Sequence, residues 1–573
     1  MSKVTLEAEN VAEALLELLA LRGVEYFVGA GAGTDFPFIV EAFAKARSEG
    51  KTVPIPITGV HEITAVALAH GYAMVSGKPL PTMLHTIVGL ANGICGVINA
   101  SRARVPLFLI AGKTADSERG HPASRFHIVQ WGQEAFDQAG MVREFVKWDY
   151  ELKSVEQLEA TIDRGLAITQ TCPAGPVYLS LPVEVGGQAV NEVQVRKKPG
   201  ISVPAPFVPV LSEMQKAVDV LRAASSPVII ASSMGRDPGA VEELVKFAEA
   251  LAIPVIEFFH THLNFPQDHP LHQGFENRTY IQDADVIMVI EADAPWIPTS
   301  GDPQEDACVI VLDEAALYAS YPHRGFPNDI TLTGNAKETL LVLNSILEKV
   351  KLNRKKIDSR YKELAARHRQ QRLSWKEESN AVSKQLPLDP KWISRCVGEQ
   401  INPDTDIVIT EFILDPTQIC ITRPGTYFDH SHAGGLGWSS GAALGAKLAE
   451  SDKTVICCIG DGTYTFGVPV ATHQMSAMHE LPVLFVIYNN AAWDRTRRGS
   501  RHVSKQGHVQ ATSDIPLCEL EPAPAYEKVC EAAGGYGERV DDASELPAAL
   551  VRGLKVVREE GRQALLNVIC SKA

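Results

Sequence analysis

"VICCIGDGTYTFG", residues 455–467, decides how this chain is read. Val455–Ile459 is an unbroken run of the residue types that fill a fully buried strand. It delivers an aspartate between two glycines, Gly460-Asp461-Gly462, and the pattern then turns helical. A carboxylate at the tip of an apolar strand is expensive unless something cationic stands beside it. From Gly462 to Asn489 there are 26 intervening residues, holding a helix ("PVATHQMSAMHE") and a second apolar strand ("LPVLFVIY") that ends in Asn489-Asn490. In a parallel sheet both strand ends reach the carboxyl edge, where ligands sit in open α/β folds. One carboxylate and one amide oxygen converging there form a hard, oxygen-only site for Mg²⁺, with phosphate oxygens completing the shell. Backbone N–H groups at the helix start after Gly462 would face those phosphates. The alternative is that Asp461 merely caps the helix. The strand-terminal Asn-Asn at this distance favours the metal.

Outward from this stretch the same alternation of short β-branched runs and helical patterns occurs three times, which predicts an α/β protein of three doubly wound parallel-sheet domains. At 573 residues the chain is too long for one core, since domains average about 150 residues. We place the first domain at residues 1–190, closing with "GPVYLSLPVEV", and the second at 205–348, with strands at "PVIIAS", "PVIEFF", "DVIMVIEA" and "CVIVLD". The third covers 380–573, with strands at "DIVIT", "TVICCIG", "PVLFVIYNN" and "ALLNVIC". A linker, "VQVRKKPGISVPAPFVPV", joins the first two. A charged segment, "EKVKLNRKKIDSRYKELAARHRQQRLSWKEESNAVSKQ", joins the last two and reads as a solvated crossing helix.

The net charge of −15 and pI near 5.6 argue against nucleic acid or an anionic membrane as partner. The N-terminal pattern is amphipathic with an acidic start, unlike a secretory signal, and no run of about 18 apolar residues occurs. Ten scattered cysteines without a C-x-x-C pair read as reduced buried thiols, so a cytoplasmic protein is expected. The glycine-rich "FVGAGAGTDF" (27–36) fails the dinucleotide fingerprint: Thr34 stands where the third glycine is needed, and the next strand, "VPIPITG", ends without a carboxylate.

G-D-G-x(26)-N-N resembles the diphosphate motif of the thiamine diphosphate (ThDP) enzymes of the acetolactate synthase and benzoylformate decarboxylase type, and the likeness covers the whole chain. It implies a pyrimidine-binding, a central and a diphosphate-binding domain in that order. By that resemblance Asp461, the side chain of Asn490 and the carbonyl of Ala492 hold Mg²⁺, and Gly460, Gly462 and Thr463 contact the diphosphate. "TGVHEITAVALAHGYAMVSGKP" resembles the family's H-E segment, which makes Glu62 the partner of the aminopyrimidine N1′; read alone, Glu62 is a first-turn glutamate favoured by the helix dipole. "HAGGLGW" (432–438) resembles the segment between the cofactor's rings, with Leu436 as the apolar wedge. "MLHTIVGLANG" (83–93) resembles the decarboxylase pattern whose histidine is an acid/base group, which marks His85.

Two departures narrow the expectation. Gly33 stands where decarboxylases tend to place Asp or Ser, and Gly31 where many members have proline, a pattern closer to the synthases. The central "IIASSMGRDPGAVEEL" lacks the glycine cluster of flavin-binding synthases, so no FAD is expected. The run "WDRTRRGSRHVSKQGH" (493–508) follows Asn490 directly and suits an anionic substrate. The resemblance therefore implies a ThDP- and Mg²⁺-dependent lyase or carboligase acting on a 2-oxo acid, assembled as a homodimer or homotetramer. A 2-hydroxyacyl-CoA lyase or oxalyl-CoA decarboxylase is the runner-up, though the chain lacks the C-terminal extension with which CoA-linked relatives often close the site. An inactive cofactor-binding regulator is the third reading.

Overall fold

In the computed structural model, which describes residues 2–572, the chain forms three parallel sheets and one two-stranded ribbon. The first unit carries β1 (Lys3–Leu6), β2 (Tyr26–Ala30), β3 (Ile55–Gly59), β4 (Leu80–Leu84), β5 (Leu107–Lys113), β6 (Asp149–Glu151), β7 (Val177–Pro182) and β8 (Val193–Arg196). Six of these make a parallel sheet in the order β3-β2-β4-β5-β7-β6, and β1 pairs antiparallel with β8. The central sheet is β10-β9-β11-β12-β13, from β9 (Pro227–Ala231), β10 (Val255–Glu257), β11 (Val286–Ile290), β12 (Cys308–Asp313) and β13 (Ile330–Thr333). The third is β15-β14-β16-β17-β19-β18, from β14 (Asp406–Thr410), β15 (Tyr427–Phe428), β16 (Thr454–Gly460), β17 (Val483–Asn489), β18 (Tyr536–Val540) and β19 (Ala564–Ile569).

Counted from its own first strand, the outer sheets share the order 2-1-3-4-6-5 and the central sheet is 2-1-3-4-5. The three units are one doubly wound plan used three times, as the alternating pattern predicts. Each sheet reverses its winding between its first and third strands, and the crevice at that point is where such folds bind ligands. In the first unit the reversal lies between β2 and β4, and in the third between β14 and β16.

Register carries the opening motif to that edge. Val455 pairs with Val483 and Gly460 with Tyr488, so Asp461 leaves the sheet level with Asn489. Every residue of β17 is buried, as is all of β16 except Gly460, consistent with strands covered by helices on both faces.

The first and third units share one core, which runs from Val28 and Leu68 to Ile409, Cys457 and Phe485. Its centre is the crossing of helix Glu62–Ser76 with helix Trp438–Ala449. Three glycines permit that approach. A Cβ on Gly441 would stand 2.6 Å from the Thr64 carbonyl oxygen, and Cβ atoms on Gly71 and Gly445 would strike the carbonyls of Ala442 and Leu68.

Two connections differ from the sequence reading. The first four residues of the expected linker, "VQVR", form β8, because their alternating valines pair with Leu6 and Val4. The charged crossing segment is helical over Arg354–Ala381, but Ile357, Leu364, Ala365 and His368 are buried, so one stripe packs rather than the whole helix being solvated. Arg372 ties it to both neighbours through the carbonyls of Gln267 (2.9 Å) and Ile419 (3.3 Å). All ten cysteines are free thiols. Among the described residues no helix is long and apolar enough to cross a membrane.

Candidate active site

The third sheet presents the first half of the site. Gly460 is the N-cap of helix Asp461–Phe466 and Asp461 is its first helical residue, so the aspartate is not the cap. Its Oδ1 accepts a 2.8 Å bond from Gly462 N–H. Its Oδ2 has no partner among the described residues, although the residue is only 3% exposed. Burial pushes this carboxyl up to about 6, with the backbone N–H groups of Gly462, Ala491 and Ala492 pulling the other way. A buried carboxylate oxygen left over in this way calls for a cation.

The chain beyond β17 supplies further oxygens. Ala491 takes a left-handed backbone (φ 49°), and Asn490 Oδ1 accepts from Ala492 N–H at 3.0 Å with one lone pair to spare. Gly462 must remain glycine, since a Cβ there would stand 2.8 Å from Cε3 of Trp493. All seven third-unit residues singled out in the sequence, from Leu436 and Gly460 through Thr463 to Asn490 and Ala492, border one cleft of about 680 Å³. A donor set of oxygens with a single negative charge fits a hard divalent cation that keeps open positions for phosphate.

Glu411, which sequence reasoning missed, sets the Leu436 loop. It is buried at the end of β14 and accepts from Gly437 N–H (2.9 Å) and Ser439 N–H (2.8 Å). Those bonds fix the start of helix Trp438–Ala449, whose own cap position is a glycine without a side-chain bond. Burial raises its carboxyl pKa despite the nearby His430 and those two N–H donors.

The basic run divides. Arg497 is buried and paired with Glu519 (2.9 Å), Arg498 pairs with Asp494 (3.0 Å), and Arg501 bonds carbonyls of its own loop. Arg495 borders the cleft, 5.7 Å over the ring of Phe412, and makes no ion pair among the described residues.

The first sheet presents the other half. Glu62 is the first helical residue after His61, whose Nδ1 caps the helix by accepting from Ile63 N–H at 3.2 Å. Asn92 donates to Glu62 Oε2 at 3.2 Å. His85 follows β4 at the winding reversal and reaches the same place: Gly89 lies beneath both side chains, with a Cβ there standing 3.2 Å from Glu62 Oε1 and 3.4 Å from His85 Cβ. The glycine-rich loop serves these two residues. A Cβ on Gly31 (φ +61°) would strike Glu62 Oε1, and one on Gly33 would stand 2.6 Å from both ring nitrogens of His85. The departure at Gly33 thus has a steric cause: the imidazole fills the space a larger side chain would need.

The loop also brings in a carboxylate that sequence reasoning missed. Asp35 is buried and ion-paired with His85 Nδ1, while Gln133 Nε2 lies 3.1 Å from His85 Nε2. Burial works against a charged ring, but the bond to Asp35 and its charge, with Glu62 adding to them, hold the His85 pKa above the usual histidine range. Neither Glu62 nor His85 borders the cleft of Asp461, whose lining runs only from residue 385 to 572. Within one chain the candidate residues form two separate groups.

Each group falls within a domain that is matched among known proteins. Residues 9–141, 214–343 and 416–568 match, respectively, the N-terminal TPP binding domain, the central domain and the C-terminal TPP binding domain of the thiamine pyrophosphate enzymes. Benzoylformate decarboxylase of Pseudomonas aeruginosa is 24% identical over 96% of this chain and 97% of its own. The acetolactate synthase isozyme 3 large subunit of Escherichia coli is 22% identical over 87% and 85%, and 2-hydroxyacyl-CoA lyase 2 of Danio rerio 23% over 98% and 91%. The fold is shared with benzoylformate decarboxylase of Polynucleobacter necessarius (TM-score 0.78, 21% identity, 98% of this chain and 99% of that one). It is also shared with a thiamine diphosphate-dependent 4-hydroxybenzoylformate decarboxylase of Rhodococcus jostii (TM-score 0.77, 20% identity, 98% and 99%). With all three domain matches in sequence along one chain, this protein belongs to the thiamine pyrophosphate enzyme family and is a thiamine diphosphate-dependent enzyme related to the benzoylformate decarboxylases, acetolactate synthases and 2-hydroxyacyl-CoA lyases.

Proposed function

We propose that the protein is a ThDP- and Mg²⁺-dependent enzyme that makes or breaks a carbon–carbon bond next to the carbonyl of an anionic 2-oxo acid. The observation that carries this reading is the partnerless, buried Asp461 Oδ2 beside Asn490. Asp461, Asn490 and the Ala492 carbonyl would hold Mg²⁺; Gly460, Gly462 and Thr463 would meet the diphosphate, and Leu436 the space between the rings. Glu62 would hold the proton at N1′ of the aminopyrimidine. ThDP, when bound, supplies the electron sink for the carbanion. The chain's own contribution is to orient, to exclude water and to move protons. His85 Nε2 is the acid/base atom toward substrate, and Arg495, with no carboxylate partner among the described residues, attracts the substrate's anionic group.

The cation site has a pH signature. A carboxyl raised to about 6 is protonated below that value, and Mg²⁺ must then displace a proton. Mg²⁺-dependent ThDP affinity, followed by calorimetry, is expected to be flat above pH 7 and to fall by up to about tenfold per unit below pH 6, with proton release on binding. Affinity unchanged down to pH 5 would contradict the assignment.

His85→Ala is expected to slow turnover by roughly 10²- to 10⁴-fold while leaving ThDP affinity within a few-fold. The assay is a product screen of the purified protein with ThDP and Mg²⁺ over a panel of 2-oxo acids and acyl-CoA compounds. Turnover confined to acyl-CoA substrates would replace the 2-oxo acid reading. Absence of hydrogen–deuterium exchange at C2 of bound ThDP would mark an inactive regulator.

A further inference from the structure

Asp35 has a stronger claim to function than its silence in the sequence suggests. Its side chain is fully buried, and among the described residues the one basic group in an ion pair with it is His85. Three backbone features accommodate Asp35 and the ring it holds. Gly112 cannot carry a side chain, since a Cβ would stand 2.6 Å from Asp35 Cβ and collide with its carboxylate. Gly33 leaves room for the His85 ring. Thr86, a β-branched residue, is held at φ 42°, where its N–H donates to Asp35 Oδ2 at 3.2 Å. A left-handed β-branched residue is a strained one, and such strain persists where the surroundings over-determine it.

The bonding pattern fixes the tautomer. An ionised carboxylate only accepts, so His85 Nδ1 must carry the hydrogen that meets Asp35 Oδ1. Nε2 then carries the lone pair, which accepts from Gln133 Nε2–H. The other end of that amide, Gln133 Oε1, is buried without a partner. Rotating the amide by half a turn would place Oε1 at Nε2, ready to accept from a protonated ring. The hydroxyls of Thr34 and Thr86, the neighbours of Asp35 and His85 in sequence, are likewise buried and unpaired.

We propose that Asp35 is the positioning residue of the acid/base histidine, holding His85 in the Nδ1–H tautomer with Nε2 aimed at the site, and that Gln133 serves both protonation states by turning its amide. In the acid direction the Nε2–H bond breaks, its electron pair stays on nitrogen, the proton passes to the substrate, and the ring returns to the neutral Nδ1–H form that Gln133 N–H caps. The charged groups facing the ring are Asp35 and Glu62; both favour the imidazolium, and Asp35, in direct contact, contributes more. This rests on the role given to His85 above, yet its deciding readout, the tautomer and midpoint of the ring, needs no substrate.

The experiment is NMR of the cofactor-free protein labelled at histidine Cε1 and both ring nitrogens, with the His85 signals identified by their loss in His85→Gln. In the unmodified protein the neutral ring is expected as the Nδ1–H tautomer, with a titration midpoint above that of a free histidine. In Asp35→Asn, which keeps shape but removes charge, the midpoint is expected to fall by at least one pH unit, and the His85-dependent limb of the kcat/KM profile to move with it. Gln133→Ala is expected to leave the Nδ1–H tautomer unchanged, and Gln133→Glu, which places a charged acceptor beside Nε2, to raise the midpoint. An Nε2–H tautomer in the unmodified protein overturns the proposal even if Asp35→Asn does not fold. So does an unshifted midpoint in folded Asp35→Asn. If His85 proves dispensable for turnover while Asp35 still sets its tautomer, the fault lies with the assigned role of His85 and not with the pair.

Discussion

Asp461→Ala is expected to fold as well as the parent chain and to lose nearly all Mg²⁺-dependent ThDP affinity. The two halves of that result have separate causes. Folding buries this carboxylate with one oxygen unpaired, and its pKa rises to about 6 as a consequence. A group whose acidity falls on folding opposes folding at neutral pH, so its removal is expected to leave Tm unchanged or slightly raised, with only the local bond to Gly462 N–H lost. Binding is different. The diphosphate would face the cleft without the charge that anchors its cation, and removing one partner of a buried charge pair costs about 3–5 kcal/mol, roughly 10²- to 10⁴-fold in affinity. Calorimetry of ThDP with and without Mg²⁺, beside a thermal melt, checks both halves. Retained Mg²⁺-dependent affinity would return Asp461 to a structural role, and a collapsed melt would show that the site supports the fold.

What could be read from the sequence followed from how local each signal is. Asp461 and Asn490 lie at the ends of adjacent strands joined by one helical crossover, so a single spacing places both at one edge, and the register of β16 with β17 agrees. Glu62 could be read because its H-E segment opens a helix directly after a strand. Asp35 could not. Its partner lies 50 residues away, and the two meet because β2 and β4 are neighbours while β3 sits outside them, a fact about strand order that no window of sequence contains. A dinucleotide site requires a carboxylate at the end of the following strand, whereas here the carboxylate lies inside the loop, at Asp35. The readable trace was the glycines: Gly31 and Gly33 are small because Glu62 and His85 occupy their space. Glu411 escaped for a simpler reason, since one strand-end glutamate in "VITEF" looks like any surface acid until Gly437 and Ser439 close on it.

Two inactive variants, Glu62→Gln and Asp461→Ala, are expected to restore activity when their chains are mixed. The argument starts from the cleft around Asp461, which is bordered by residues 385–572 and by neither Glu62 nor His85. Both groups must nevertheless act on one small molecule if the proposed roles hold. Within a chain, the helix bearing Glu62 is locked against Trp438–Ala449 by glycine contacts that leave no room to slide. On those roles we propose that the missing half of each site comes from a second copy; a two-fold arrangement would make two equivalent shared sites from one repeated contact. In a mixed dimer one site carries both lesions and the other carries neither. Random exchange of equal amounts makes half of all dimers mixed, so activity should recover to about a quarter of the parent value, and isolated mixed dimers should show about half. The measurement is turnover after chain exchange under mild denaturant, with exchange verified by differently tagged chains. If every site were built within one chain, each site in a mixed dimer would carry exactly one lesion and activity would stay at the level of the variants. No recovery with exchange proven would therefore overturn the shared site while leaving the assignment of Asp461 to its separate calorimetric test.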